Sequence, residues 1–287
     1  MSIEIRRIGV IGAGTMGNGI AQTFAVSGFP VILCDIAPKA LDHGMGAIKT
    51  SLGRLVTHEK ISAADSEAAL QRVTATTSLE ELHECDLVVE AVVEKFEVKK
   101  AVIGELDRIC RPTTILATNT SSISVTKIAA ASRQPGRVIG MHFFNPVPVM
   151  QLVEVIRAMQ TSDEVCAAIV SLVDTIGKKA RVAKDSYGFV VNRVLVPMIN
   201  EAINCVYENL ASPEDVDSMM KLGAAHPMGP LSLADLIGLD IILDIMETLY
   251  HGFNDSKYRP SPLLRQMCDA GYLGRKSGRG FFDYPHA

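Results

Sequence analysis

The sequence has few of the features that mark several large classes of protein. Its six cysteines form no CxxC pair and have no metal-ligating partners nearby in sequence, which argues against zinc-finger and thioredoxin-like sites and predicts no bound metal. Scattered cysteines of this kind are typical of a reducing compartment, where they act as small apolar core residues. The formal net charge of −4 implies no general attraction to nucleic acid or to an anionic membrane.

Long hydrophobic runs are also missing. The longest apolar stretch, residues 189–199, is interrupted by Asn192 and Arg193 and is too short to span a bilayer. Glu4 and a strand-like run from Ile5 lie where a targeting segment would begin, so we expect none. These features predict a cytoplasmic protein. Apolar residues nonetheless amount to 48%, which is sufficient for a substantial core.

Strand and helix patterns alternate through the first part of the chain. Such alternation predicts an α/β fold with a mostly parallel sheet covered by helices on both faces. The predicted strands are Ile5–Ile11, Val31–Cys34, Leu87–Val93, Thr114–Thr118, Val138–Phe144 and Leu152–Ile156, and the predicted helices are Thr15–Ser27, Pro38–Thr57, Ala63–Arg72, Lys95–Cys110, Ser124–Ala131 and Asp163–Ile176. The helices that begin at Pro38 and Ala63 would form a hairpin inserted between strands.

Strand patterns end near Tyr187, and the patterns that follow are helical. Helices are predicted over 189–210, 213–222 and 231–250. We therefore expect two domains, an α/β domain over residues 1–186 and an all-helical domain over residues 187–287. The first of these helices is apolar on nearly all sides, which predicts burial on all sides and two packing partners.

A glycine-rich segment follows the first predicted strand and opens the first predicted helix. Gly12, Gly14 and Gly17 form the pattern G-x-G-x-x-G, with Thr15 and Met16 between the last two glycines. A glycine triplet alone is a weak signal, but in this context it is typical of a Rossmann-type dinucleotide site. The glycines allow a tight turn, a close approach of the pyrophosphate, and close packing of helix on strand.

An aspartate indicates which dinucleotide is bound. Asp35 ends the second predicted strand, 23 residues after Gly12. A carboxylate there accepts hydrogen bonds from the adenosine ribose and repels a 2′-phosphate, and no arginine follows at residues 36–38. We therefore predict NAD as cofactor. The alternative is a glycine-rich turn with an incidental aspartate.

One histidine has a setting suited to catalysis. His142 lies at the end of a predicted strand, and such ends face the cofactor crevice of an open α/β sheet. Imidazole titrates near neutrality and can take the hydroxyl proton of an alcohol during hydride transfer. Glu154, among apolar neighbours, would need a partner such as the imidazole N–H. From the residues alone, a core histidine and an exposed edge-strand glutamate stay open as alternatives.

Two further polar features stand out. Residues 117–122 are dense in short hydrogen-bonding side chains, more than a helix cap requires. Asn192 lies in an otherwise apolar helix and would need a partner, for which a helix–helix hydrogen bond is the alternative to a role in the site.

Together these segments resemble the L-3-hydroxyacyl-CoA dehydrogenase family, most closely its single-function bacterial members that act on 3-hydroxybutyryl-CoA. The resemblance runs the whole length of the chain, and its HFFNPVP segment is far more specific than the glycine motif. The matching segments are residues 12–17, 119–122, 142–150, 152–154, 188–193 and 271–281. The resemblance implies hydride transfer between the C3 hydroxyl of a short-chain L-3-hydroxyacyl-CoA and NAD, in a homodimer formed by the helical domain.

The resemblance also implies roles for residues of the chemical site. His142 matches the general base and Glu154 its carboxylate partner. Ser121 matches the serine that hydrogen-bonds the substrate oxygen at C3. Asn192 matches an asparagine near the thioester and the catalytic histidine.

The binding residues follow in the same way. Asp35 matches the adenosine-ribose acid, and Glu94, Lys99 and Asn119 match residues lining the nicotinamide half of the NAD site. The inserted hairpin matches the region that holds coenzyme A, where the candidates for its phosphates are Lys49 and Arg54. From the residues alone, a solvated helix face is the alternative for these cations.

Two other functions stay open at this point. One is an NAD-dependent dehydrogenase of a 3-hydroxy acid without coenzyme A, in which the hairpin cations would have no role. The other is a non-catalytic NAD-binding protein, against which the intact set of Ser121, His142, Glu154 and Asn192 argues.

Overall fold

The computed structural model describes residues 3–284. The chain divides into two compact units, residues 1–186 and residues 187–287. The described residues confirm the predicted fold class, a Rossmann-type sheet with an inserted helical hairpin followed by helices alone.

The first unit is built on one eight-stranded sheet in the described part of the chain, with the order β3-β2-β1-β4-β5-β6-β7-β8. Its strands are β1 Ile8–Ile11, β2 Val31–Cys34, β3 Val73–Thr76, β4 Leu87–Glu90, β5 Ile115–Thr118, β6 Val138–Phe143, β7 Leu152–Arg157 and β8 Lys179–Lys184. Adjacent strands are parallel, except that β6 and β7 are antiparallel. The chain leaves β1 toward β2 on one side and returns to β4 on the other, so a crevice opens at the carboxyl ends of β1 and β4.

Six helices accompany this sheet in the described residues, namely α1 Thr15–Val26, α2 Pro38–Thr57, α3 Ala63–Gln71, α4 Phe96–Ile109, α5 Val125–Ala129 and α6 Asp163–Thr175. Strands β1, β4, β5 and β6 are buried at every residue, as continuous apolar runs covered on both faces require. Helices α2 and α3 form the predicted hairpin between β2 and β3. Ser62 begins α3 with a capping box that includes Asp65.

The second unit contains α7 Val191–Tyr207, α8 Pro213–Gly223, α9 Pro230–Ile237, α10 Leu239–Phe253 and α11 Pro262–Asp269. Its own core includes Ile199, Ile203 and Leu239, each fully buried. The prediction that α7 is buried on all sides is wrong for the single chain, because Val194 is 68% exposed. Leu210, three residues beyond the helix, is 75% exposed.

Some elements differ from the sequence prediction. Strands β3 and β8 were not predicted, because β3 is only four residues long and β8 has charged residues at three of its six positions. The helix expected over 231–250 is two helices, interrupted at Gly238, whose φ of 106° is incompatible with a helix. Helix α11 was also not predicted.

Within residues 3–284, every helix is too short or too polar to span a bilayer. The same residues contain no cluster of three or more His, Cys, Asp or Glu side chains able to hold a metal ion. All six cysteines are free, and four of them are buried.

Candidate active site

The loop between β1 and α1 has room where a dinucleotide needs it. Gly12 has a φ of +96°, and a Cβ there would lie 2.5 Å from the carbonyl oxygen of Ala91. A Cβ at Gly17 would lie 1.7 Å from the carbonyl oxygen of Gly12, so the helix can approach the strand only without a side chain. A Cβ at Gly14 would meet nothing within 4 Å, which leaves open space beside the backbone.

Helix α1 begins at this open space. Its first residue, Thr15, is exposed, and Met16 is partly buried. Gly14 provides no side-chain cap and the first turn has no acidic residue, so the first N–H groups and the positive end of the helix dipole are suited to an anion. These residues therefore fit the pyrophosphate of NAD in both chemistry and space.

Asp35 links the glycine loop to the segment after β2. Its Oδ2 accepts a hydrogen bond from the backbone N–H of Ala13 at 2.8 Å, and its Oδ1 accepts one from Ala37 at 3.0 Å. Each carboxylate oxygen can accept a further hydrogen bond, as a ribose hydroxyl requires. The carboxylate thus braces the glycine loop, which the sequence did not indicate, and keeps the acceptor capacity that a ribose hydroxyl would need.

His142 and Glu154 form a buried pair. The antiparallel register of β6 and β7 places them directly opposite each other, and His142 Nδ1 lies 2.7 Å from Glu154 Oε2. The two residues are 5% and 3% exposed. An ionised Glu154 accepts only from a protonated Nδ1, which fixes the neutral imidazole in the tautomer whose lone pair is on Nε2. The ring of Phe144 packs on the imidazole with centroids 4.4 Å apart.

Glu94 organises the turn that contains Ser121. Its Oε1 accepts hydrogen bonds from the Thr120 hydroxyl at 2.6 Å and from the backbone N–H groups of Ser121 and Ser122 at 2.8 and 3.1 Å. The hydroxyls of Ser121 and Ser122 each lie 3.2 Å from the same oxygen. Burial raises the pKa of the Glu94 carboxyl, but the Lys99 ammonium and these hydrogen bonds outweigh burial, so the pKa lies below its usual value.

Lys99 lies beneath this turn between two carboxylates. Its Nζ is 2.8 Å from Glu90 Oε1 and 3.2 Å from Glu94 Oε2, and its side chain is 1% exposed. Glu90, at the end of β4, was missed by the sequence reasoning. The available signal was an acid inside the apolar run of residues 87–93, which would need a partner if buried. The sequence did not indicate which residue that partner is.

Asn119 connects the ends of two strands next to these residues. Its side-chain Oδ1 accepts a hydrogen bond from the backbone N–H of Phe143 at 2.9 Å. Its backbone N–H donates to the carbonyl oxygen of Glu90 at 2.8 Å. The end of β6, and with it His142, is thereby held against β5.

Lys178 is a second residue that the sequence reasoning did not identify. Its Nζ donates to the carbonyl oxygens of Val147 and Met150 at 2.7 and 2.6 Å, in the segment that follows His142. The residue is buried, and burial lowers the pKa of its ammonium. A buried cation thus fixes this segment through carbonyl oxygens.

The hairpin candidates Lys49 and Arg54 are both exposed on α2. Five residues on an α-helix correspond to a rotation of about 140°, so the two side chains leave the helix on different faces. Arg54 borders a surface depression of about 540 Å³ beside Asp42 and His43. The structure therefore does not bring the two cations to one face.

Asn192 belongs to the other unit. It is the second residue of α7 and is partly buried.

Three groups of predicted site residues come together in the first unit. They are His142 with Glu154, Ser121 with Glu94 and Lys99, and Asp35 with the glycine loop.

Family models match nearly the whole chain. A model described as "3-hydroxyacyl-CoA dehydrogenase, NAD binding domain" matches residues 7–186. A second, described as "3-hydroxyacyl-CoA dehydrogenase, C-terminal domain", matches residues 188–284.

Individual proteins are similar over the same length. A probable 3-hydroxybutyryl-CoA dehydrogenase of Bacillus subtilis is 53% identical over 98% of this chain and 98% of its own. A 3-hydroxybutyryl-CoA dehydrogenase of Bradyrhizobium diazoefficiens is 50% identical over 99% of this chain and 97% of its own. The crystal structure of (S)-3-hydroxybutyryl-CoA dehydrogenase PaaH1 from Ralstonia eutropha superposes with a TM-score of 0.96 at 52% identity, covering 99% of this chain and 100% of that one.

Proposed function

The chain belongs to the 3-hydroxyacyl-CoA dehydrogenase family and is an NAD-dependent dehydrogenase, and we propose that its substrate is a short-chain L-3-hydroxyacyl-CoA, specifically 3-hydroxybutyryl-CoA. The names of relatives at 50–54% identity support this substrate. In the reverse direction the enzyme reduces acetoacetyl-CoA.

The buried pair of His142 and Glu154 is the observation that carries the proposed chemistry. His142 Nε2 takes the proton of the C3 hydroxyl, and Glu154, 2.7 Å from Nδ1, stabilises the imidazolium that forms. NAD, when bound, supplies the acceptor for the hydride from C3. In reduction the imidazolium returns the proton to the oxygen at C3. A positioned acid–base group of this kind contributes about 100- to 10,000-fold to the rate.

Other residues bind and orient the reactants. Ser121, whose turn is held by Glu94, hydrogen-bonds the substrate oxygen at C3 in this proposal. Asn192 lies near the thioester end of the substrate. Asp35, the glycine loop, Glu94, Lys99 and Asn119 hold NAD in this proposal.

The hairpin is the proposed site for the phosphates of coenzyme A. Because Lys49 and Arg54 point from different faces of α2, they would contact different phosphates or only one of them would bind. The homodimer formed through the second unit is part of the proposal, and the cytoplasmic location stays a prediction from the sequence.

Substrate class is tested by NADH consumption. We expect rapid oxidation of NADH with acetoacetyl-CoA, slower oxidation with long-chain 3-ketoacyl-CoAs, and little with free acetoacetate or with NADPH in place of NADH. Equal rates on the free acid and the thioester would contradict a coenzyme A substrate and favour a non-CoA 3-hydroxy acid. No consumption with any of these compounds would indicate a non-catalytic NAD-binding protein.

A further inference from the structure

A buried carboxylate at the end of β4 has no part in the proposed chemistry. Glu90 is fully buried, and the register of the sheet places it between Ile11, the last residue before the glycine loop, and Thr118, the last residue of β5. It therefore lies at the floor of the crevice where the topology of the sheet changes direction, which is where an open α/β sheet binds its ligand.

The contacts of Glu90 indicate an ionised side chain. Its Oε1 accepts from the Lys99 ammonium at 2.8 Å and from the backbone N–H of Val92 at 2.8 Å, and its Oε2 accepts from the Thr118 hydroxyl at 2.7 Å. Three donors and no acceptor face this carboxyl among its described hydrogen bonds, so the charged form is the one they stabilise. Burial of such a charge is tolerated because the ammonium of Lys99 neutralises it.

The same ammonium reaches a second carboxylate. Lys99 Nζ is 3.2 Å from Glu94 Oε2, while the other oxygen of Glu94 holds the backbone of Ser121 at 2.8 Å. A continuous series of contacts thus runs from Glu90 through Lys99 and Glu94 to Ser121. Because Lys99 is shared, the position of Glu94 depends on how strongly Glu90 holds the ammonium.

We propose that Glu90 is a positioning residue. It shares the ammonium of Lys99, so that Glu94 does not have to neutralise this charge alone. Glu94 can then hold the turn of Ser121 and the adjoining nicotinamide site in place. Without the charge of Glu90, Glu94 is the one carboxylate of residues 3–284 that remains paired with this buried ammonium, and it moves off the backbone of residues 120–122 to neutralise it. The effect on substrate rests on the proposed function, whereas the effect on cofactor binding rests on the family's NAD domain.

The test compares Glu90→Gln, Glu94→Gln and the double variant with the wild type. Two quantities are measured, the Kd for NADH by fluorescence titration and the KM and kcat for acetoacetyl-CoA. We expect Glu90→Gln to raise the Kd and the KM by about tenfold, the scale of one lost hydrogen bond to a charged group, with a smaller change in kcat. Glu90→Asp, which keeps the charge, restores most of the loss.

Non-additivity separates positioning from a merely structural role. If Glu90 acts through Glu94, the double variant binds NADH no more weakly than the weaker single variant, because the second substitution removes a contact that is already lost. Independent effects that multiply in the double variant, or unchanged Kd and KM in Glu90→Gln, would overturn the proposal.

Two arrangements keep the experiment decisive. If Glu90→Gln fails to fold, the variant with both Glu90→Gln and Lys99→Gln, which leaves no unpaired ammonium, replaces it and is compared with Lys99→Gln alone. If Glu90 acts through Lys99, the two variants bind NADH equally, and weaker binding by the double variant would overturn the proposal. If the wild type consumes no NADH with acetoacetyl-CoA, the proposed substrate is wrong, but the titration of NADH still decides the role of Glu90.

Discussion

His142 and Glu154 face each other across β6 and β7, the one antiparallel pair in the sheet of the described residues. Twelve residues separate them in sequence, and only the reversal of chain direction brings them to the same level. Each residue alone could have a structural role. The register makes them a hydrogen-bonded pair, which is the geometry that a general base and its orienting carboxylate need.

The first prediction concerns the imidazole. We expect His142→Gln to retain the wild-type Kd for NADH and to lose turnover by about 100- to 10,000-fold, because the proton acceptor is removed while the cofactor contacts remain. Stopped-flow or steady-state NADH oxidation measures the rate. His251→Gln is a matched control, since that histidine is 76% exposed, and its rate stays at the wild-type value. Turnover near wild type in His142→Gln would remove His142 from the mechanism.

The extent to which single residues could be predicted depended on how local their signal was. The glycines and Asp35 were identified because the spacing of a βαβ unit is contained in one stretch of sequence. Glu90 was missed because its partners, Lys99 and Thr118, are separated from it by 9 and 28 residues. Contacts that depend on the order of strands in the sheet have no local signature.

The boundary between α9 and α10 shows the same limit for elements. Apolar periodicity continues through both helices, so the pattern predicted one helix over 231–250. Gly238 interrupts it through a positive φ of 106°, and periodicity carries no information on that angle. Similarly, the sequence pattern did not predict β8, because its charged residues mask the apolar signal of a strand. These charges are tolerated because a strand at the edge of a sheet is exposed along much of its length.

The second prediction follows from Gly238. A Cβ at this position would adopt a strained backbone conformation and lie 2.9 Å from Asp240 Oδ1, so we expect Gly238→Ala to lower the free energy of unfolding by about 1–3 kcal/mol. Urea denaturation measures the change. Gly223→Ala is the control, because its Cβ would meet nothing within 4 Å at the end of α8. Its stability is equal to or slightly above wild type, and an equal loss in both variants would contradict the argument.

A third prediction concerns the attachment of α4 to the sheet. Asp107 of α4 binds Arg137, just before β6, at 2.8 Å, and the two side chains are 4% and 7% exposed. Burial raises the pKa of the Asp107 carboxyl, but hydrogen bonds from Ser132, Arg137 and Arg133 outweigh burial, so the pKa lies below its usual value of 3.8. Removing the charge leaves the buried guanidinium of Arg137 with only carbonyl oxygens as partners and no carboxylate among the described residues, and we expect Asp107→Asn to lose about 3 kcal/mol at neutral pH.

The pH dependence of that loss has a definite sign. Because the folded pKa of Asp107 is depressed, its stabilisation is fully present above the unfolded value of 3.8 and disappears as the pH falls through the folded value. The difference in unfolding free energy between wild type and Asp107→Asn therefore shrinks in acid, as denaturation at a series of pH values measures. Glu105→Gln, which breaks an exposed ion pair on the same helix, changes stability little. A difference that stays constant into acid would exclude the charge as its cause.

At the scale of the whole molecule, the second unit leaves several large apolar side chains exposed. Four of them lie on or just after α7 and on α8. They are Val194, Leu210, Met219 and Leu222, with exposed fractions of 68%, 75%, 64% and 86%. Exposed apolar residues are typical of an interface, and we propose that a second copy of the chain covers the side of α7 that its own core leaves exposed.

The last prediction is that the protein is a dimer in solution at micromolar concentration, as sedimentation equilibrium measures. Val194→Asp places a charge in the proposed interface and shifts the equilibrium toward monomer, because burying an unpaired carboxylate opposes association. Val182→Asp is the control, since this valine is 52% exposed on β8 in the other unit, and it leaves the dimer intact. A wild-type monomer at this concentration would contradict the dimer, and an intact dimer in Val194→Asp would place the interface elsewhere.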